Sequence, residues 1–403
     1  MAKRVEGGGL TPQGQVQGAP PAQTELHDLE SGSVQLPSLV RSTVSWKDKP
    51  PAEVRDTLAR RAREIFKDVT LPLLEPADSV INGIDRHLAS AGRQWDFQWG
   101  QIAENWMIFI NFAVWMGYNG REALINLNAA SFTERTPTYT QQHKQESDAA
   151  RASINAVVAD GLEVASRAFG HSIHVHDAGC ANADRTREIM GLLRAAGVDC
   201  EFSGSDISDK MVEAAKGKDL AEVVQANLVE GIPLSRKADA VICLDDTIGH
   251  IPGEESRIRA LKNFAAVSGD GAFVILDTNN RGGYFTARTQ KNDTVRGMFL
   301  SALPEKYKPI LEGTTVGVNL YTVGGPGAVC YLHHFRKDEL AMMLDAAGYD
   351  VVPLAAKRAG QSEPKGINTV SLSYSSKDRN ISAGTVNDGF NEASLVILAR
   401  KRQ

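Results

Sequence analysis

From residue 151 onward, short apolar runs rich in β-branched residues alternate with helical stretches, and no other feature constrains the fold as strongly. Runs at 173–177, 199–205, 238–244, 272–277, 349–352 and 395–399 read as strands, and helical stretches separate the first four. Parallel neighbours need a crossover of a dozen or more residues, so this spacing predicts βαβ units and a mostly parallel α/β sheet. A different signal occupies 313–335, where TVGVNLYTV and AVCYLHHF flank GGPG. Two β-rich runs about such a turn predict an antiparallel hairpin. Residues 353–393 are polar and rich in Ser, Asn and Lys, and read as a long excursion before the last strand.

The N-terminal third has another character. Residues 1–45 are rich in Gly, Gln, Pro and Ser, which predicts a disordered tail. Pro50 and Pro51 then precede a run in which Val54, Leu58, Ile65 and Phe66 recur at helical spacing, with Arg60, Arg61 and Arg63 read as a solvated face. All five tryptophans lie between Trp46 and Trp115, which predicts a helical domain over 46–150 capping the sheet domain of 151–403. Trp95, Trp99 and Trp106 either pack its helices or turn a ring face toward a ligand cation.

Composition narrows the function classes. With 44 basic and 49 acidic residues the net charge is −5, which argues against broad binding to nucleic acid or anionic membrane. The most apolar stretch, 106–118, is too short to span a bilayer, and no apolar run follows MAKRVEGGGL as a secretory signal requires. Cys180, Cys200, Cys243 and Cys330 lie 20, 43 and 87 residues apart, without the close pairs of zinc or redox motifs. Reduced thiols and a cytoplasmic location are expected.

The central motif is HVHDAGCANA (174–183), a strand running into small residues and then a helix. Small residues let the backbone approach a ligand, and a helix N-terminus offers free N–H groups. The motif lacks GxGxxG, so its weight comes from spacing. Asp206 ends the next strand, 27 residues beyond Gly179, where a carboxylate can accept ribose hydroxyls. Asn227 follows a third strand, and a fourth ends at Leu244-Asp245-Asp246, so four strand ends converge on one crevice.

With those residues in place the chain resembles class I S-adenosylmethionine (SAM)-dependent methyltransferases, and among them most resembles glycine N-methyltransferase. The matching pieces are HDAGCANA (176–183), SDISDKM (205–211), QANL (225–228), ADAVICLDDTIGHIP (238–252), RALKN (259–263) and AFVILDTNN (272–280). The resemblance implies a Rossmann-like sheet with a lid insertion at about 281–335. It also implies that SAM is bound by Asp177, Gly179, Cys180, Ala181, Asp206, Ile207, Met211, Asn227, Leu228 and Leu244, with S-adenosylhomocysteine as product. Ala181 and Ala183 stand where the family usually has glycines.

The substrate side departs from the glycine enzymes. Their lid arginine is missing, since no arginine lies between Arg296 and Arg336, and Asp246 replaces their asparagine. A negative side chain there repels a carboxylate and favours a cation. The expected acceptor is therefore a small-molecule amine other than glycine, with O- or C-methylation of an aromatic metabolite as the alternative. A non-catalytic cofactor-binding scaffold is the alternative of another class. His250, Tyr284 and Asp246 are the catalytic candidates, and Asp246, Asn280, Tyr321, His333 and Trp106 the substrate-binding ones. His334 and Tyr331 are weaker candidates on the hairpin. His171, His174, His176 and Asp177 do not follow a metal-site order, so no metal is expected. Glu254, Glu255 and Arg257 read as a solvated helix start. Oligomeric state is left open.

Overall fold

The alternating runs assemble into one sheet in a computed structural model that describes residues 74–96, 148–279, 286–302, 318–322, 329–352, 354, 367–369, 372–374, 381–383 and 394–403, with isolated positions between 53 and 136 and at 305. All of them belong to one compact unit, Pro37–Gln403. The first five strands are β1 (Ile173–Ala178), β2 (Cys200–Asp206), β3 (Glu222–Gln225), β4 (Ala238–Cys243) and β5 (Ser268–Asn279). They pair in parallel in the order β3-β2-β1-β4-β5. The hairpin forms as expected from β6 (Val318–Thr322) and β7 (Val329–His333). Beyond it come β8 (Tyr349–Val352), β9 (Ile367–Thr369), the β10 (Leu372–Tyr374)–β11 (Ile381–Ala383) pair and β12 (Ser394–Lys401). β12 runs antiparallel to β5 on one side and to β8 on the other, and β9 pairs parallel with its first residues.

The result is a Rossmann-like α/β fold, as the strand–helix alternation predicts. Two details differ. β5 begins at Ser268, earlier than the apolar run suggests, because the polar SGD segment already pairs with the foot of β4 at Ala238. The polar stretch 353–393 carries three short strands that its composition did not announce.

Helices cover both faces of the sheet. They are α1 (Leu74–Ser90), α2 (Asp148–Phe169), α3 (Asp184–Ala195), α4 (Asp209–Ala215), α5 (Glu254–Val267), α6 (Thr286–Ala302) and α7 (Lys337–Ala346). Because both faces are buried, the central strands are apolar at consecutive positions rather than alternate ones. Ile242, Ile275 and Leu398 face α2 and α3, meeting Val158, Leu162, Ile189 and Leu193. Their neighbours Val241, Leu276 and Ile397 face α5 and α7, meeting Leu261, Phe264, Leu340 and Leu344. Gly161 permits the closest approach, since a Cβ there would stand 2.8 Å from Ile275 Cδ1. Among the described residues, no helix is long and apolar enough to cross a membrane.

Helical structure recurs across the described parts of 46–150. α1 buries Val80, Ile81, Ile84 and Leu88, and Gly83 lies against Met298 of α6. Trp95 donates its indole N–H to Asp85. Trp99 receives the Lys291 ammonium over its ring, 5.6 Å from the centroid, so the cation at this face is the protein's own. Trp106 is fully buried. Trp46, Trp115, Arg61, Arg63 and the tail of 1–45 lie outside the described residues.

Candidate active site

After β1 the chain moves outward through β2 and β3, then returns to β4 on the other side of β1. Strand order reverses there, and open α/β sheets bind ligands at such a point, outside the carboxyl ends of the strands. A crevice of about 450 Å³ opens at this place, lined among others by Asp177, Gly179, Ala181, Arg185, Leu244 and Asp245.

The loop after β1 is pinned from below. Gly179 and Cys180 both donate their N–H groups to Ser205 O, at 2.7 and 2.9 Å. Ala181 N–H donates to Asp206 Oδ2 at 3.0 Å, and Ser208 N–H donates to Asp206 Oδ1 at 2.9 Å. Gly179 sits at φ +86°, and a Cβ there would collide with Thr247 of the turn after β4. Only glycine meets both conditions. Ala181 and Ala183, at φ 47° and 60°, take the left-handed conformation that glycine favours. The loop thus holds alanine in a left-handed shape at a cost in strain.

Buried carboxyls converge on the crevice. Burial pushes Asp206 up to about 6, opposed by its backbone N–H donors. Burial likewise raises Asp177 to about 6, opposed by a 2.6 Å hydrogen bond from Thr186 Oγ1 and by the Arg185 charge. Two members of the cluster escaped sequence reasoning. Arg185 forms a 2.9 Å ion pair with Asp277, lies 4.0 Å from Asp245, and donates through Nε to Asn155 at 2.7 Å. The legible signal was a cation in the first turn of α3, where the helix dipole disfavours it. For Asp277 the signal was an acid inside an otherwise apolar strand run.

Asp246 corrects the sequence-based picture of the acceptor pocket. Its carboxylate accepts Asn279 N–H at 3.1 Å and Asn279 Nδ2 at 2.9 Å, and it lies against Gly249. Burial raises its carboxyl well above the usual range, opposed by the two Asn279 donors, so a buried, hydrogen-bonded group stands where the sequence reading expects an open negative charge. Asp245 instead keeps 53% of its side chain exposed at the crevice. Both aspartates hold positive φ.

His250 closes the Thr247–His250 turn, and its Nδ1 lies 2.7 Å from Tyr331 O. A carbonyl only accepts, so the neutral ring carries its proton on Nδ1 and its lone pair on Nε2. Phe132 meets that ring edge-on at 5.0 Å. His333 is fully buried, with Nε2 2.6 Å from Glu339 Oε1. Arg257, read as solvated from the sequence, is fully buried. It donates to Ile251 O at 3.1 Å and Tyr331 Oη at 3.4 Å, lies 3.7 Å from Glu339 and sits over the Phe335 ring. Glu254 and Glu255 are exposed, as expected.

Beyond the ends of β2 and β3, Met211 and Leu228 are buried, and Ile207 is half-buried beside Asp206. Asn227 closes its own turn instead, its amide donating to Glu230 at 3.0 Å and accepting Val229 N–H at 3.1 Å. Leu244 O accepts both the N–H and the hydroxyl of Thr247. The thiol of Cys180 is pushed well up by burial, which disfavours a nucleophilic role. His174 and His176 engage Ser203 and Ser205 across β1 and β2, all at 2.9 Å. Asn280 and Tyr284 lie outside the described residues, as does the side chain of Tyr321.

No family profile and no curated protein matches the sequence. Solved structures do. The chain is similar to a SAM-dependent methyltransferase from Clostridium acetobutylicum at 10% identity, over 68% of this chain and 99% of that one, with a TM-score of 0.40. It is similar to a SAM-bound amino pentose methyltransferase from Micromonospora echinaspora at 11% identity, over 66% and 96%, with a TM-score of 0.38. A sugar N-methyltransferase from a Streptoalloteichus species matches at 15% identity, over 66% and 93%, also with a TM-score of 0.38. Likeness at this level bears on neither activity nor substrate.

Proposed function

We propose that the chain is a SAM-dependent methyltransferase acting on a small molecule, with the nitrogen of an amine other than glycine as acceptor. One observation carries the reading: the loop 179–181 and the Asp206 carboxylate are locked together by a backbone hydrogen bond at the switch point beside β4. The donor set fits such a ligand. Asp206 accepts backbone N–H groups from Ala181, Ser208 and Ile207, fewer than the four lone-pair sites of a carboxylate, which leaves capacity for a ribose hydroxyl. Met211 and Leu228 offer apolar walls for an adenine, and Asn227 would read its edge on releasing Glu230. Asp177, Asp245 and Arg185 present both signs of charge to the amino-acid end.

When bound, SAM supplies a methyl group on a sulfonium, open to in-line attack. The residues here serve proximity and alignment, which can supply most of the rate. Asp245, exposed at the crevice, attracts a cationic amine, and its charge favours an amine over a carboxylate-bearing acceptor. The amine must shed a proton to expose its lone pair, and His250 is the candidate base for that proton. The motifs shared with glycine N-methyltransferase support the class, whereas the missing lid arginine separates this chain from glycine as substrate.

Calorimetric titration with S-adenosylhomocysteine tests the reading, with NAD as control. Binding of S-adenosylhomocysteine alone, weakened about 10- to 100-fold in Asp206→Ala, is the expected result. Binding of NAD instead overturns it. Release of S-adenosylhomocysteine in an amine screen then separates an enzyme from a cofactor-binding scaffold.

A further inference from the structure

β7 pairs with β6 along one edge, and among the described residues its other edge has no strand partner. Tyr331, opposite Leu320 in the register, is fully buried, and its peptide group needs partners there. Asn128 supplies them. Its Oδ1 accepts Tyr331 N–H at 2.8 Å, and its Nδ2 donates to Tyr331 O at 3.2 Å. One carboxamide thus stands in for the facing peptide of a missing strand. The same Nδ2 donates to His250 O at 2.8 Å. Tyr331 O also receives His250 Nδ1 at 2.7 Å. Four hydrogen bonds therefore join Asn128, the Tyr331 peptide and both the backbone and the ring of His250. Asn128 is itself buried. One helical turn later Phe132 meets the His250 ring, and Thr133 Oγ1 lies 2.9 Å from Ser208 Oγ, beside Asp206.

We infer that Asn128 is a positioning residue that fixes the tautomer and orientation of His250 through the Tyr331 carbonyl. This rests on the methyltransferase reading for its purpose, but not for its geometry. Without Asn128, the Tyr331 peptide loses the one side chain that engages both its N–H and the carbonyl that meets His250 Nδ1. The ring can then exchange its proton between the two nitrogens. Only a side chain with donor and acceptor on one planar group, at this reach, makes both bonds to the Tyr331 peptide.

The test is nitrogen-15 NMR of the histidine rings, with His250→Gln assigning the signal, in wild type, Asn128→Ala and Asn128→Asp. The carboxylate introduced by Asn128→Asp would keep the acceptor for Tyr331 N–H and lose both donations. Wild type is expected to show His250 as a single Nδ1–H tautomer, and both variants a mixture with the Nε2–H form. Titration with S-adenosylhomocysteine on the same samples should give an unchanged Kd. A wild-type Nε2–H tautomer, or identical His250 signals in wild type and variants, overturns the inference. So does failure of both variants to fold, which would make Asn128 a folding residue. Failure of wild type to bind S-adenosylhomocysteine sinks the methyltransferase reading instead, and leaves the tautomer result standing.

Discussion

At Ala183, fully buried with φ 60°, a side chain is held in a conformation that costs an L-residue about 1–2 kcal/mol. Glycine adopts it freely but loses more backbone entropy on folding, about 0.5–1 kcal/mol. Ala183→Gly should therefore stabilise the protein by up to about 1 kcal/mol in urea unfolding. A loss of stability would show that the methyl packs well enough to offset the strain. Asp206 sets a pH limit on the proposed ligand. Its carboxyl is pushed up to about 6, so it is an ionised acceptor above that pH and protonated below it. S-adenosylhomocysteine affinity should hold above pH 6 and fall by up to about tenfold per unit below it, and Asp206→Asn should abolish that slope. Asp246 is a case that residue type alone could not decide. An aspartate after β4 reads as an open anion, yet burial raises its carboxyl well above the usual range while the Asn279 donors oppose that shift.

At the scale of elements, β1 and β2 are joined by a directed chain of side chains. His174 Nδ1 meets Lys237 O at 3.1 Å, so it carries a proton, and its Nε2 must accept from Ser203. His176 Nδ1 then donates to Ser203, and its Nε2 accepts from Ser205, whose carbonyl holds the Gly179 loop. Burial, with His174 nearby, lowers His176 to about 3. An imidazole that stays neutral in the fold but titrates near 6.5 when unfolded favours the unfolded chain at low pH. Its contribution is fully present above pH 6.5 and is lost as pH falls toward 3. Relative to His176→Gln, wild type should lose about 1.4 kcal/mol per pH unit below 6.5, read from urea midpoints. The Arg257 knot binds α5, β7 and α7 behind the His250 turn. Removing one member of a buried ion pair leaves the other uncompensated, so Arg257→Ala, which strands Glu339 and the Ile251 carbonyl, should destabilise by about 3–5 kcal/mol. A change below about 1 kcal/mol would return Arg257 to the solvated role its neighbours Glu254 and Glu255 suggest.

For the whole molecule, a ligand that binds only the folded chain stabilises it by mass action. S-adenosylhomocysteine at one hundred times its Kd should add about 2.7 kcal/mol to unfolding, and less in Asp206→Ala at the same concentration. The sheet that carries this site was legible in the sequence because buried parallel strands need continuous apolar runs and crossovers need helices. Both are local patterns, and β1, β2, β4, β8 and β12 appear close to where those patterns place them. The Gly179 loop and Asp206 were legible for a similar reason, since a strand end followed by small residues, and an acid at the next strand end, are matters of spacing. Partnership was not legible. Arg185 meets Asp277, Arg257 meets Glu339, and Asn128 meets Tyr331 and His250 across 92, 82, 203 and 122 positions of chain. Whether a charge is solvated, paired or neutral depends on what folding brings against it and on how much water it removes. Sequence alone therefore determined the strands, their order of appearance and the crevice they meet at, because those follow from local periodicity. Only the tertiary structure decided which side chains at that crevice keep their charge, since burial and partners are set by contacts between distant segments.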